Sequence, residues 1–260
     1  MPKVIVINLD SAQERWGHIK RQLDSVGVTP ERFSAIDGRA INHPLFEKYD
    51  EEYRVRRKGA PLSLGQLGCF ASHYLVWQRC VELGEPVIVL EDDVTLIEGY
   101  FREFLQQAPR LGADIECVRL FRNRVKHCKS ISMFELGALS FVKYTKGPMS
   151  GMGYYLTPAG ARKFLAGADK WFLAVDMYMD RFWANKVECI GVSPECITHE
   201  HLFDSIIGYD RNKKPRSLAV RFRRELFALA EISRRFFHNF RFMCTHKCAR
   251  WNKKESLTDA

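Results

Sequence analysis

The chain has 260 residues, of which 46% are hydrophobic and 27% charged, a composition typical of a folded globular protein. No apolar run reaches the length of a transmembrane span, and none of the eight cysteines forms the CxxC pair of common zinc sites. The net charge of +9 is uneven, because residues 211–260 carry 14 Lys and Arg against four Asp and Glu. The basic character therefore belongs to a C-terminal tail, and the near-neutral remainder argues against nucleic acid binding by the body of the protein.

The first forty residues have the pattern of a βαβ unit. Lys3–Asn8 is a short strand of the buried type, residues 12–26 carry apolar side chains at helical spacing, and Glu31–Asp37 indicates a second strand. Such connections are right-handed and build a parallel sheet. No GxGxxG motif follows the first strand, so a dinucleotide-type phosphate loop is not indicated. Because this strand starts without a signal peptide pattern, we expect a cytoplasmic protein.

Residues 86–96 join an apolar strand to three consecutive carboxylates, Glu91, Asp92 and Asp93. An uninterrupted apolar run predicts a strand buried on both faces of an α/β sheet, where ligands bind at the carboxyl end. Three adjacent acids repel one another, and burial disfavours their charged form, so a divalent cation would remove both penalties. This stretch therefore predicts a metal and diphosphate site. The alternative is an acidic loop in which Asp93 caps the next helix.

The middle of the chain contains further candidates. Residues 39–61 are polar and predict an irregular loop, either solvated or a mobile flap whose basic run Arg54–Lys58 meets an anionic ligand. A helix is expected from about Gln66 to Leu83, with Ser72 and His73 on its middle turns. A single histidine on a helix is more often structural than catalytic. Residues 195–207 are rich in possible ligands, including two histidines.

Six short blocks between residues 4 and 207 occur in an order that resembles one enzyme family. They are Val6–Asp10 with Arg15, Arg32–Gly38, Leu62–His73, Val89–Val94, Gly153–Leu156 with Gly160 and Ala161, and Val175 with Asp176. Together they resemble glycosyltransferase family 25, the bacterial lipooligosaccharide glycosyltransferases related to the collagen galactosyltransferases. One departure is Gln66, where many family members have Glu, so no catalytic acid is assigned to that position.

The resemblance implies a GT-A-like α/β fold, with a mixed, mainly parallel sheet flanked by helices. Residues 1–210 would form the transferase domain, with a nucleotide-sugar-binding half up to about residue 110 and an acceptor half beyond it. Residues 211–260 would form a basic helical tail. The family moves a sugar, often galactose, from a UDP-sugar to a growing lipooligosaccharide or other surface glycan. This implies a protein located in the cytoplasm, peripheral to the inner membrane.

The same resemblance assigns roles to individual residues. Glu91 and Asp93 would bind Mn²⁺ or Mg²⁺, with His199 or His201 as a further ligand. Asp176, at the start of a helix after an apolar segment, is the expected general base of an inverting transfer. The expected nucleotide-sugar contacts are Asn8, Leu9, Arg15, Asp37, Gly38, Ser72, His73 and Asp92.

Two other functions compete with this interpretation. A nucleotidyltransferase would also use acidic residues and a metal, but it would be expected to have a Gly- and Lys-rich phosphate loop near the N-terminus, which residues 3–11 lack. The basic tail suggests a non-enzymatic nucleic-acid-binding protein, but no recognised binding motif accompanies it.

The tail itself has an amphipathic composition. From Leu218 to Phe242, apolar residues fall three or four apart, and six arginines are interleaved with them. This pattern is typical of a helix that lies in an anionic membrane interface. The alternative is an ordinary C-terminal helix that packs on the body with its arginines in water, and the two can hold in part, with one face on the body and the rest on lipid.

Overall fold

One mixed sheet forms the centre of the protein in this computed structural model, which describes residues 1–121, 129–199 and 218–258, with side chains up to residue 245. The strands are β1 (Lys3–Asn8), β2 (Glu31–Ser34), β3 (Val87–Glu91), β4 (Thr95–Leu96), β5 (Cys117–Arg119), β6 (Ser130–Leu136), β7 (Leu139–Tyr144), β8 (Gly153–Leu156), β9 (Ile190–Ser193) and β10 (Ile197–Thr198). Eight of them lie in the order β2-β1-β3-β8-β5-β9-β7-β6, and β4 pairs with β10 separately. Six of the eight run in one direction, with β7 and β8 opposed.

Helices cover both faces of this sheet. They are α1 (Gln13–Ser25), α2 (Glu51–Lys58), α3 (Leu64–Leu83), α4 (Glu98–Gln107), α5 (Pro158–Gly167), α6 (Val175–Met179), α7 (Phe182–Asn185) and α8 (Leu218–Thr258). Side chains alternate between the faces of a strand, so Val4 and Val6 join the core under α1 and α4, while Ile5 and Ile7 join the core under α3 and α5. Burial on both sides explains the continuous apolar run of β1. The arrangement confirms the expected GT-A-like α/β fold class.

The expectation of an irregular segment over residues 39–61 is wrong, because α2 lies within it. Asp50 caps this helix by accepting a hydrogen bond from the Tyr53 backbone N–H at 2.9 Å, and Gly59 ends it in the left-handed conformation. Acidic residues occupy its first turn and basic residues its last turn, which suits the helix dipole. Arg54 donates to the backbone oxygens of Ala60 and Phe172. The basic run therefore belongs to a packed helix.

Two glycines let the loop after β2 lie directly on α3. A Cβ atom on Gly38 would lie 2.1 Å from the carbonyl oxygen of Leu64, and one on Gly68 would lie 2.3 Å from that of Ile36. Ser72 completes the contact, since its hydroxyl accepts from the Ile36 N–H and donates to the Gly68 carbonyl, both at 2.8 Å. This close backbone approach fixes the end of β2 against the helix that precedes β3.

Gln66 has a structural use at the start of α3. Its side-chain oxygen accepts from the Ser63 backbone N–H at 3.0 Å, and the Ser63 hydroxyl accepts from the Gln66 N–H at 3.2 Å. This reciprocal capping box is formed equally by Glu or Gln. The departure from the family pattern at this position therefore preserves the helix start.

The tail forms the long helix α8, and one of its faces packs on the body. Phe227 is buried and lies edge-on to Phe172, with ring centroids 6.2 Å apart. Arg181 donates two hydrogen bonds to Glu231, at 2.6 and 2.9 Å. The expected boundary near residue 210 falls within residues 200–217, outside the described part of the chain, and stays a prediction.

We expect Gly68→Ala to lower the free energy of unfolding by about 2 kcal/mol, because the added methyl group overlaps a backbone carbonyl that cannot rotate away. Gly99, in the first turn of α4, has nothing within 4 Å of its ideal Cβ position. Gly99→Ala should therefore stabilise the protein slightly, by up to about 1 kcal/mol. Urea denaturation of the two variants measures both changes. Equal stability of the two variants would contradict the close approach of the loop to α3.

Candidate functional site

The three consecutive acids lie where β3 ends, at the carboxyl edge of the sheet. Glu91 is the last residue of β3 and stands opposite Ile7 of the parallel strand β1. The end of β1 therefore lies beside them, and Asn8 and Arg15 come from β1 and the helix that follows it. The structure brings together the acidic stretch and the first expected nucleotide-sugar residues at the edge where open α/β sheets bind ligands.

Asp92 is held by side chains from the N-terminal unit. Asn8 donates from its amide nitrogen to one carboxylate oxygen at 2.6 Å, and Arg15 donates to the other at 3.2 Å. Arg32 in turn donates to the amide oxygen of Asn8 at 2.9 Å. Burial raises the pKa of Asp92, and the hydrogen bonds and charge of Asn8 and Arg15 oppose this rise. In the described structure Asp92 thus fastens β3 to β1 and α1.

Asp93 has one carboxylate oxygen, Oδ1, that is buried without a hydrogen-bond partner. Its other oxygen lies 3.6 Å from Nε2 of His199 and 4.0 Å from the Arg15 guanidinium. The pairing of β10 with β4, in which Thr198 stands opposite Thr95, brings His199 to this position. Burial and the charge of Glu91 raise the pKa of Asp93, while His199 and Arg15 lower it. An unsatisfied buried carboxylate oxygen needs a partner, and a cation fits this requirement.

Glu91 is oriented by a buried chain of aromatic and imidazole groups. The Trp77 indole N–H donates to the Tyr154 hydroxyl at 2.9 Å, and this hydroxyl lies 2.9 Å from His73 Nδ1. His73 Nε2 lies 3.2 Å from a Glu91 oxygen. If the hydroxyl donates to Nδ1, then Nε2 carries the imidazole proton and donates to Glu91, which satisfies every member of the chain. His73 is fully buried, so it orients the carboxylate from behind.

Cys69 lies beside the same groups. Its sulfur and the nearest ligand atoms of His73 and Glu91 lie within 4.8 Å of one another. Burial, with the charges of Glu91, Asp176 and Asp93, raises the pKa of the Cys69 thiol well above its ordinary range. The thiol is therefore uncharged at neutral pH. Because the charge of Asp176 acts on Cys69, Asp176 in the first turn of α6 belongs to the surroundings of the acidic cluster.

The loop before β8 forms another wall of the site. A Cβ on Gly151 would lie 3.1 Å from a Glu91 oxygen and 3.3 Å from His73 Nε2, so its backbone lies close against this pair. The loop is supported from below by the buried ion pair of Arg119 and Asp180, whose closest atoms are 2.9 Å apart. Arg119 donates to the Ser150 carbonyl at 2.6 Å, and Asp180 accepts from the Met149 N–H at 2.7 Å.

Other predicted site residues have roles in the fold. Ser72 joins the loop after β2 to α3, and Gly38 allows that loop to approach the helix. Asp37 accepts hydrogen bonds from the guanidinium and from the backbone N–H of Arg39. Both bonds lower the pKa of Asp37, and the guanidinium has the larger effect. The carbonyl of Leu9 closes the turn into α1 by accepting from the Ala12 N–H at 2.8 Å. His201 lies outside the described residues.

Sequence reasoning missed the supporting groups of the site. Tyr154 lies in a block that carried the family resemblance, but nothing in the sequence marks its hydroxyl as the partner of His73. Arg119 and Asp180 are 61 residues apart, so no local pattern connects them. Arg32, in contrast, lies in a recognised block, and its contact with Asn8 extends the polar network at the carboxyl edge of the sheet.

The ligand types at this edge suit a hard divalent cation, although in the described residues the ligand atoms of Glu91 group with Cys69 and His73, and those of Asp93 lie beside His199. Glu91 ends β3 and Asp93 follows it two residues later, while His199 offers an imidazole nitrogen from beside a separate strand pair. Oxygen ligands with one imidazole suit Mn²⁺ well and Mg²⁺ less well. The orphaned Oδ1 of Asp93 is the structural observation that favours a cation here. The ligand assignments stay predictions.

We expect Asp93→Asn to raise the midpoint of thermal unfolding at pH 7 by about 2–4 °C in metal-free buffer. The pKa of Asp93 is raised in the folded state above its value of about 3.9 in the unfolded chain. As the pH rises between these two pKa values, the unfolded state ionises more readily than the folded state, so the free energy of unfolding falls. An asparagine cannot ionise and avoids this loss. The gain should shrink as the pH falls towards about 4.

Asp24→Asn is the matched control for this measurement. Asp24 is half exposed and pairs with Lys20 on the surface of α1, so its substitution should change the midpoint little at either pH. An Asp93→Asn variant that is less stable than the wild type at pH 7 in EDTA would refute the proposal that the ionised Asp93 carboxylate destabilises the metal-free protein.

Comparison with known proteins identifies a family for this chain. A family model described as "Glycosyltransferase family 25 (LPS biosynthesis protein)" matches residues 1–179. The chain is 31% identical over 179 residues to the "Glycosyltransferase 25 family member" of Drosophila melanogaster. This match covers 64% of this chain and 28% of the relative. It is 26% identical over 189 residues to "Procollagen galactosyltransferase 2" of Mus musculus, and this match covers 68% of this chain and 29% of the relative.

A third relative carries a different name. The chain is 27% identical over 226 residues, 76% of its length and 38% of the relative, to the "Probable inactive glycosyltransferase 25 family member 3" of Rattus norvegicus. The matched segments thus span less than two fifths of the length of these curated relatives. The family model covers more than half of this chain, which therefore belongs to glycosyltransferase family 25.

Proposed function

We propose that this chain transfers a sugar, with galactose as the first candidate, from a UDP-sugar to a hydroxyl group of an acceptor glycan. The single observation that carries the proposal is the arrangement of Glu91 and Asp93 at the carboxyl edge of the sheet, with a buried Asp93 oxygen that has no partner. Membership of family 25 supports glycosyl transfer as the reaction. The printed name of the mouse relative supports galactose as the sugar.

A divalent cation, Mn²⁺ or Mg²⁺, would be held by Glu91, Asp93 and His199, and when bound it would stabilise the negative charge of the departing diphosphate. The protein residues prepare this site. His73 and Tyr154 fix the orientation of Glu91, and Arg15 lies 4.0 Å from Asp93. The network therefore orients Glu91 and leaves Oδ1 of Asp93 without a hydrogen-bond partner.

The donor would lie along the edge formed by the ends of β1 and β3. Arg15 and Arg32 supply positive charge there, which favours an anionic ligand. No glycine-rich phosphate loop is present in residues 3–11, so the diphosphate depends on these side chains and the cation. The loop Asp37–Gly38, held on α3, would border the uridine end.

In the proposed transfer, the acceptor oxygen attacks the anomeric carbon while the bond from that carbon to the diphosphate oxygen breaks. The acceptor hydroxyl loses its proton to Asp176, and the leaving UDP takes the bonding electron pair. Asp176 lies in the first turn of α6, where its carboxylate acts electrostatically on Cys69 and Arg54. Transfer from the opposite face of the sugar would invert the anomeric configuration.

We infer that the acceptor belongs to a lipid-linked surface glycan of the lipopolysaccharide type, assembled at the cytoplasmic face of the inner membrane. The description of the matching family supports this acceptor class. In the described residues, no helix combines the length and hydropathy needed to cross a bilayer. Since relatives named as inactive also match the chain, the test of function has to measure turnover.

We expect Mn²⁺ to raise the midpoint of thermal unfolding of the wild type, because a ligand bound only by the folded state stabilises it, by about 2.7 kcal/mol at a hundred times its dissociation constant. Asp93→Ala should abolish this shift and His199→Ala should weaken it. Fluorimetry with increasing Mn²⁺ measures the shift, and release of UDP from UDP-galactose measures activity.

Asp24→Asn serves again as the control and should keep the full Mn²⁺ response, since this residue lies on the outer surface of α1. Normal UDP release by Asp93→Ala in the presence of EDTA would refute the metal assignment. Failure of the wild type to release UDP from any UDP-sugar in the presence of Mn²⁺ and acceptor glycans would refute glycosyl transfer.

We expect Asp176→Asn to keep its affinity for the UDP-sugar and to lower kcat by about 10²–10⁴, the usual contribution of a general base. Asp169→Asn is the control, because Asp169 is exposed after α5 and outside the acidic cluster. Steady-state kinetics separate the two effects. Loss of donor affinity with unchanged kcat would instead assign Asp176 to binding.

A further inference from the structure

Helix α8 has two faces with different environments. The face towards the body contains Phe227, Glu231 and His238, which follow one another at helical spacing. Besides the contacts of Phe227 and Glu231 described above, His238 Nε2 lies 2.5 Å from a Glu188 oxygen. Asn239 adds a hydrogen bond of 2.8 Å to the Thr145 carbonyl. The body therefore holds the helix in one orientation over at least three turns.

The opposite face of α8 is mainly apolar and exposed to solvent, with Glu225 and Ser233 as exposed polar members. At 100° per residue, its large side chains fall between about a quarter and half a turn away from Phe227 and His238. They include Phe236, Phe237 and Phe240, which are 62%, 67% and 59% exposed. The full set is Phe222, Leu226, Leu229, Ile232, Phe236, Phe237, Phe240 and Met243. We name this set the exposed stripe.

The exposed stripe is too long to be a set of isolated surface residues, although Glu225 and Ser233 interrupt it, and it is most nearly continuous from Phe236 to Met243. From Phe222 to Met243 it extends over about 32 Å of helix, at about 1.5 Å per residue. Stacking within it, as between Phe236 and Phe240 with ring planes 17° apart, leaves the rings open to solvent. An apolar surface of this size on a soluble protein marks a binding surface.

Arginines border the exposed stripe on both sides. On a helical projection Arg221 lies on one side, and Arg223 and Arg241 lie on the other. All three are exposed. Apolar side chains with cations at both borders match the interface of an anionic bilayer, where the rings enter the acyl boundary and the guanidinium groups meet the headgroup phosphates. A second copy of the helix would bring some of these like charges together.

We propose that α8 binds the surface of a bilayer containing anionic phospholipids, with the exposed stripe in the lipid and the opposite face on the body of the protein. This lipid surface is independent of the proposed transferase reaction. It has one consequence that rests on that function. Helix α8 packs on α2 and on Arg181, and Asp176 lies in the short helix α6 that ends two residues before Arg181, so a lipid-linked acceptor would reach the proposed base from the side of the protein that carries α8.

The test uses the full chain and two kinds of vesicle, one of equal parts phosphatidylglycerol and phosphatidylcholine and one of phosphatidylcholine alone. We expect the wild type to sediment with the anionic vesicles at low salt and to be released by high salt. Phe236→Glu should lower the partition coefficient about tenfold or more, because it removes one ring from the lipid and adds a repelled charge.

Ala228→Glu is the matched control, since it adds the same charge at an exposed position of α8 outside the exposed stripe. It should keep most of the binding. A combined Arg221→Gln, Arg223→Gln and Arg241→Gln variant should lose the preference for phosphatidylglycerol. Release of UDP from UDP-galactose, measured without lipid, should stay unchanged in Phe236→Glu, so failure of the donor site and failure of the lipid surface are distinguished.

Two results would overturn the proposal. Equal sedimentation of the wild type and Phe236→Glu with anionic vesicles, including no binding by either at low salt, would remove the exposed stripe from lipid binding. A wild type that is a dimer without lipid, and that Phe236→Glu converts to a monomer, would assign the exposed stripe to a second copy of this chain.

Discussion

The burial of three consecutive carboxylates at the end of β3 is the constraint on which the site depends. The three acids have different surroundings. Asp92 accepts hydrogen bonds from Asn8 and Arg15, Glu91 is oriented by His73, and Asp93 keeps a buried oxygen without a hydrogen-bond partner. Because desolvation disfavours the charged forms, the fold carries an energetic cost at this position. Such a cost is typical of a site built for a ligand that arrives later.

The surrounding fold keeps these acids in place through backbone contacts. Gly38 and Gly68 allow the loop after β2 to touch α3, and Ser72 joins the two with two hydrogen bonds. On the other side, the Arg119–Asp180 pair supports the loop that contains Gly151. Breaking a buried pair of this kind leaves an uncompensated charge, so both residues are needed together. Several residues expected to bind the donor thus act by shaping the edge of the sheet.

The tail is connected to the same site by packing. Helix α8 contacts α2 and α7, and α7 follows the short helix α6 that contains Asp176. The remaining face of α8 is mainly apolar with arginines at both borders. The sequence pattern predicted either a packed helix or a membrane-surface helix, and the structure divides the helix between a packed face and an open face. The open face remains a proposed lipid surface.

The sequence by itself determined the strands β1, β2 and β3, the acidic edge and the family. The apolar runs of β1 and β3 are local patterns, and consecutive acids after a buried strand are visible without any structure. Helix α2 was missed because its signals are caps and charges, with no buried residue to mark a periodicity. The edge strand β6 was missed because its side chains are only partly buried.

Only the tertiary structure decided which groups surround each acid. The partner of Asp92 comes from 84 residues away, that of Glu91 from 18, and that of Asp180 from 61. His199 reaches Asp93 through the pairing of β4 with β10, two strands too short to be recognised from their residues. Periodicity reports which face of an element is buried, whereas the contacts of polar side chains depend on how distant elements pack. For that reason the position of the acidic residues at the end of a buried strand was predictable from the sequence, but the contacts around them were not.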